Sequence, residues 1–86
     1  MKYLPAKKDL EKAVIDVLNE TNGTATVAEI NDLVSKRLNI SKEAMEIEDA
    51  SGMSTEYEYQ MRWTRTKLKK DGIIENVSRG VWRLVK

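Results

Sequence analysis

The chain has 86 residues, 41% of them apolar and 34% charged, and a net charge of +1; this suits a single folded domain spanning 1–86 with a modest core. It contains no Cys and no His, which removes disulfides, thiolate and imidazole metal ligands and the usual nucleophile–base pairs, so neither an enzyme nor a cofactor is expected. No apolar run approaches the roughly 20 residues of a membrane span, and Met1-Lys2-Tyr3-Leu4-Pro5-Ala6-Lys7-Lys8-Asp9 lacks the apolar centre of a signal peptide, so a cytoplasmic chain without a membrane partner is expected.

Pro5 suits the first turn of a helix, and Leu10, Ala13, Val14, Val17 and Leu18 follow at helical spacing until Asn22-Gly23; the spacing predicts a helix over 5–21. Thr24-Ala25-Thr26 is extended in character and can add one small strand. Thr26-Val27-Ala28-Glu29 matches a capping box, and Val27, Ile30, Leu33, Val34 and Leu38 share one face of a second helix over 27–38. Ser41 is the expected cap of a short helix over 42–47. The polar segment 48–55 reads as a surface loop. A third long helix is predicted over 56–71, ending at Gly72. At 100° per residue its Tyr57, Met61, Thr64 and Leu68 form a narrow inward stripe. A hairpin over 73–85 follows, with a turn at Val77-Ser78-Arg79-Gly80 in which Gly80 takes a positive φ.

This order predicts an α+β, mostly α, winged helix-turn-helix. It has a three-helix core, an inserted short helix and a C-terminal β-hairpin wing. Charge is segregated along the chain. Met1–Glu56 holds seven Lys/Arg and eleven Asp/Glu, whereas Tyr57–Lys86 holds eight and three. A basic last third points to a surface that faces a polyanion. Double-stranded DNA is the expected partner, because the helix over 56–71 has the size of a major-groove reader. The candidate contacts are Arg62, Arg65, Thr66, Lys69 and Lys70 on that helix and Ser78 and Arg79 at the hairpin tip. Lys67 falls nearer the core flank. The connection over 39–55 is long for a helix-turn-helix and fits only versions with an inserted segment.

The run Gln60-Met61-Arg62-Trp63-Thr64-Arg65-Thr66-Lys67-Leu68-Lys69-Lys70-Asp71-Gly72-Ile73-Ile74-Glu75 resembles the N-terminal domain of Mrr-type restriction endonucleases. So does Ser78-Arg79-Gly80-Val81-Trp82-Arg83-Leu84. The shared features are Trp63, Arg65-Thr66, Leu68-Lys69-Lys70, Gly72 and Arg79-Gly80-Val81-Trp82-Arg83. The resemblance implies a DNA-binding winged helix that precedes a nuclease domain, with a helical insertion accounting for the long connection. Two positions depart from the family pattern. Gln60 stands where Arg is common and Arg62 where a small residue is common, which would alter the sequence read if they face DNA. No Asp followed by a Glu/Gln-x-Lys pair is present, so cleavage by this chain is not expected.

Other readings compete at particular residues. Trp63 lies off the narrow stripe and is expected to pack in the wide buried arc of a three-helix core; stacking on DNA or an interface is the alternative. Trp82 alternates with Leu84 and is expected to be core. Glu43, Glu46, Glu48 and Asp49 lack the spacing of a calcium loop and read as a solvated acidic face with no metal. A winged helix can instead serve as a protein-interaction or dimerisation module, since fold alone does not fix function. A homodimer, or a nuclease domain in the parent protein, is a further possible partner.

Overall fold

Leu10, Ala13, Val14, Val17 and Leu18 are buried along one side of α1 (Lys7–Glu20) in a computed structural model that describes residues 4–85. The three- and four-residue spacing of these side chains brings them onto one stripe, and burying each large aliphatic side chain is worth roughly 1.5–3 kcal/mol. The residues 1–3 and 86, included in the single-domain reading, lie outside the described residues. Pro5 stands before the helix rather than in its first turn, because Ala6 is the extended N-cap residue and the helix opens at Lys7.

The chain continues through β1 (Thr24–Thr26), α2 (Val27–Arg37), α3 (Lys42–Met45), α4 (Glu56–Lys70), β2 (Ile74–Ser78) and β3 (Val81–Leu84). The expected elements are all present, with α3 ending two residues early because the chain turns at Glu46 into an isolated bridge between Glu48 and Thr55. The three strands form one antiparallel sheet in the order β1-β3-β2. β3 is therefore central. Its register sets Ala25 opposite Trp82, and Leu84 donates a backbone hydrogen bond to the Gly23 carbonyl at 2.8 Å. This α+β arrangement of helices and hairpin is compatible with a winged helix.

One cluster of side chains joins all the long elements. Ile30 and Val34 of α2, Tyr57, Met61 and Leu68 of α4, and Ile74 of β2 close over the α1 stripe. Trp82 and Leu84 are half-buried against it, so the expected core role of Trp82 holds.

The seam between α2 and α4 is polar at its edge. Tyr57 buries its ring and donates its hydroxyl to the Asn31 carbonyl at 2.6 Å. Burial pushes the phenol pKa up, against the pull of the nearby Arg65 charge. Removing the hydroxyl leaves the Asn31 carbonyl without this donor. Tyr57→Phe is expected to cost about 1–2 kcal/mol in chemical denaturation while leaving the helical circular dichroism unchanged; an unaltered midpoint would show that the bond contributes nothing.

Candidate nucleic-acid interface

Two features fix where α4 begins and ends. Thr55 and Glu58 form a capping box, the Glu58 N–H donating to Thr55 Oγ1 at 3.1 Å and the Thr55 N–H to Glu58 Oε1 at 3.2 Å. At the other end Gly72 adopts φ +78, and the Ile73 N–H returns to the Leu68 carbonyl at 2.9 Å. A residue with a side chain is strained at that φ, so Gly72 is what lets the helix close its last turn. The helix between these stops has 15 residues and is about 22 Å long.

Its two faces are sharply different. Tyr57, Met61, Thr64 and Leu68 face the core as the spacing predicted, and the Thr64 hydroxyl donates back to the Gln60 carbonyl at 2.7 Å. Tyr59, Arg62, Trp63, Thr66 and Lys70 fall at i, i+3, i+4, i+7 and i+11 and form an exposed outward stripe, with exposed Lys69 beside it.

Arg65 is corrected. It retains only 8% of its accessible surface and lies in the seam with α2, not on the outward stripe. The reason is positional: it follows Met61 by one turn and precedes Leu68 by three residues, so its stem runs beside the core. Nη1 donates to Asn31 Oδ1 at 3.2 Å, and Nε is buried without a partner. Burial, then the neighbouring Arg62 charge, holds its pKa below the usual guanidinium value.

Trp63 is also corrected. It is 54% exposed, because the core arc of α4 widens toward Arg65 and not toward Trp63. Tyr59, one turn before it, is 41% exposed, and the two rings meet edge-to-face with centroids 6.3 Å apart. This aromatic pair was not foreseen. Its signal in the sequence was the four-residue spacing on the same side as Arg62 and Lys70.

Thr66 is exposed, but its hydroxyl donates to the Arg62 carbonyl at 3.0 Å. The hydroxyl has a single proton, so in this rotamer Thr66 has no hydrogen to offer a phosphate.

At the hairpin tip, Ser78 and Arg79 are exposed and Gly80 has φ +73 as expected. Asn76 stiffens the turn, its side-chain amide donating to the Ser78 and Val81 carbonyls at 2.7 and 2.8 Å. The tip is also tied to α2, since the Val27 N–H donates to the Gly80 carbonyl at 2.9 Å. Arg62, Thr66, Lys69 and Lys70 are therefore brought together on one side of α4. Ser78 and Arg79 form a second group at the end of the hairpin distant from Gly72.

The cations divide by partner. Lys12 pairs with Asp16, Lys36 with Asp32, Arg37 with Asp16 and Glu20, Lys67 with Asp71, and Arg83 with Glu75. The bond to Asp71 raises the Lys67 pKa. Arg62, Lys69, Lys70 and Arg79 form no ion pair among the described residues, and nor do Lys7, Lys8 and Lys42.

A family model described as the Mrr N-terminal domain matches residues 8–86. The chain belongs to that family. No curated protein and no solved structure matches it. The matching Mrr model covers the N-terminal domain and not the catalytic nuclease domain. It places the chain in a restriction-enzyme context. No described helix is long and apolar enough to cross a membrane, and no group of three or more Asp/Glu side chains is placed to hold a metal among the described residues.

The loop that delivers Thr55 to its cap position in this Mrr domain is itself tightly bonded. Asp49 accepts from the Ser51 hydroxyl and the Ser54 hydroxyl, each at 2.7 Å, and from the Ser51 and Gly52 N–H groups at 3.0 and 2.9 Å. These donors, the two hydroxyls foremost, hold the Asp49 pKa down at about 2. An unfolded Asp titrates at about 3.9. The network's stabilisation is therefore fully present above the unfolded value and lost as pH falls through about 2. Carboxyl chemical shifts followed with pH should place the Asp49 midpoint near 2, and an ordinary Asp midpoint would mean the loop is open in solution.

Proposed function

We propose that the chain is a duplex-DNA-binding module of winged-helix type with no catalysis of its own. α4 lies along the major groove with its outward stripe toward the base edges and flanking phosphates. Lys69 and Lys70 neutralise phosphates. Arg62 sits where a guanidinium can reach either a phosphate or the O6/N7 edge of guanine. Arg79, with Ser78 beside it, meets the backbone or minor groove beyond the helix.

The observation that carries this reading is the division of the cations. Lys12, Lys36, Arg37, Lys67 and Arg83 are neutralised by carboxylates, while Lys7 and Lys8 at the start of α1 and Lys42 of α3 are not. The cations on the outward stripe of α4 and at the hairpin tip are left for an external anion. The Mrr family supports a restriction-enzyme setting for such a module. Arg65 acts differently from its neighbours: it adds positive potential from inside the seam and positions α4 through Asn31, rather than touching the duplex as a surface side chain.

The acids set the polarity of docking. Glu56 and Glu58 occupy the first turn of α4, while Lys67, Lys69 and Lys70 occupy its last. Contact with DNA is thereby concentrated from Tyr59 onward, and the first turn is held off the phosphates.

Binding of this kind weakens with salt, the logarithm of affinity falling by about 0.9 per phosphate neutralised for each tenfold rise in salt. Titration of the chain against duplex DNA at several salt concentrations is expected to show that dependence. The double variant Lys69→Ala/Lys70→Ala should bind all sequences more weakly and lower the slope by about 2. Duplex binding that is undetectable at low salt, or a slope the double variant does not alter, would contradict the assignment.

A further inference from the structure

Tyr59 and Trp63 form an exposed apolar patch beside Arg62 and Lys70 on α4, with Asp49 and Glu56 near Tyr59 and Glu11 near Trp63. Tyr59 and Trp63 are 41% and 54% exposed, and their rings hold each other edge-to-face at an interplanar angle of 69°. That contact restricts both rings before any partner arrives, so less rotamer freedom is lost on docking. Their neighbours on the stripe are Arg62 and Lys70, neither of them paired with a carboxylate, and Thr66. Thr66 spends its hydroxyl proton on the Arg62 carbonyl, which leaves its methyl as the group it offers outward.

The unpaired cations select a polyanion as the occupant of this face, and the aromatic pair must then meet an apolar group on it. The major-groove edges of the bases display one such group, the C5-methyl of thymine, which apolar side chains such as alanine, phenylalanine or a threonine methyl contact. A second copy of the chain fits less well, because it would bring Arg62 and Lys70 against their own like charges.

We propose that Trp63, buttressed by Tyr59 and flanked by the Thr66 methyl, is a specificity-determining residue that reads thymine methyl groups in the major groove. The inference rests on the duplex-binding reading and adds a sequence preference to it. Arg62 and Lys69 hold the helix over the groove, and the indole covers the methyl and excludes water from it.

The test uses the 86-residue chain and two duplexes of identical sequence, one containing thymidine and the other deoxyuridine at every thymine position. The exchange removes only the methyl and preserves charge and hydrogen-bonding edges. The unmodified chain is expected to bind the thymidine duplex about three- to fivefold more tightly per covered methyl, the factor that burial of one such group gives. Trp63→Ala should bind both duplexes equally, and Trp63→Phe should keep part of the difference. Since the Trp63 side chain lies outside the core, thermal melting of the variants checks that the fold is intact. Strong binding that ignores the methyl overturns this inference alone. A preference that survives unchanged in Trp63→Ala does the same, since it then arises from DNA shape. A Trp63→Ala variant whose only change is loss of self-association assigns the patch to a second copy and overturns it too. Absence of all duplex binding by the unmodified chain overturns the underlying reading as well.

Discussion

The outward face of α4 exists because its inward face is clamped. Tyr57 crosses to the Asn31 carbonyl and Arg65, two turns later, to the Asn31 side chain, so one residue of α2 holds α4 at two heights. Met61 lies between these two ties and is fully buried. Rotating α4 about its axis would break both hydrogen bonds and expose the Met61 and Leu68 side chains together. A buried guanidinium is costly to keep, and Arg65 has only a neutral amide oxygen as its observed partner. Breaking such a junction from one side is more damaging than never having built it. That cost is tolerated at the seam that aims the cationic stripe.

Local electrostatics reinforce the same orientation. The partial positive charge at a helix N-terminus favours acids and the partial negative charge at the C-terminus favours bases. α4 has Glu56 and Glu58 in its first turn and Lys67, Lys69 and Lys70 in its last. The distribution that stabilises the helix is therefore also the one that gathers unpaired positive charge toward its C-terminal end. Asp49 extends this economy to the preceding loop, where its carboxylate gathers four donors and holds the approach to the Thr55 cap in a single shape. The hairpin is held equally firmly, with Asn76 bracing its turn and Gly80 tied to the first residue of α2. Arg79, the cation at the tip, therefore stands on a fixed support.

Much of this was legible in the chain, and the reasons differ by element. The α1 stripe, the Thr26–Glu29 box and the alternation through Trp82 and Leu84 are local patterns whose physics is contained within one turn or one strand. α4 was legible as an amphipathic helix, yet the side of it that Arg65 and Trp63 would take was not. A narrow stripe through Tyr57, Met61, Thr64 and Leu68 does not say on which flank the buried arc widens. That is decided by where α2 crosses, a tertiary fact fixed through Asn31. The Thr55–Glu58 box repeats the Thr26–Glu29 signature and was available in the sequence, whereas the loop it ends looked merely polar because the Asp49 network depends on loop geometry. The commitment of the Thr66 hydroxyl to the backbone is a rotamer choice that composition cannot disclose.

The central claim is that the unpaired cations of α4 and the hairpin tip form one DNA-binding system supported by the α2–α4 seam. Amide and guanidinium chemical-shift mapping during titration with a short duplex tests it most directly. The account predicts progressive shifts at Arg62, Thr66, Lys69, Lys70, Ser78 and Arg79, with the ion-paired Lys12, Asp16, Lys36 and Glu20 of α1 and α2 unmoved. Shifts confined to the α1–α2 flank, or none at any duplex concentration, would contradict it.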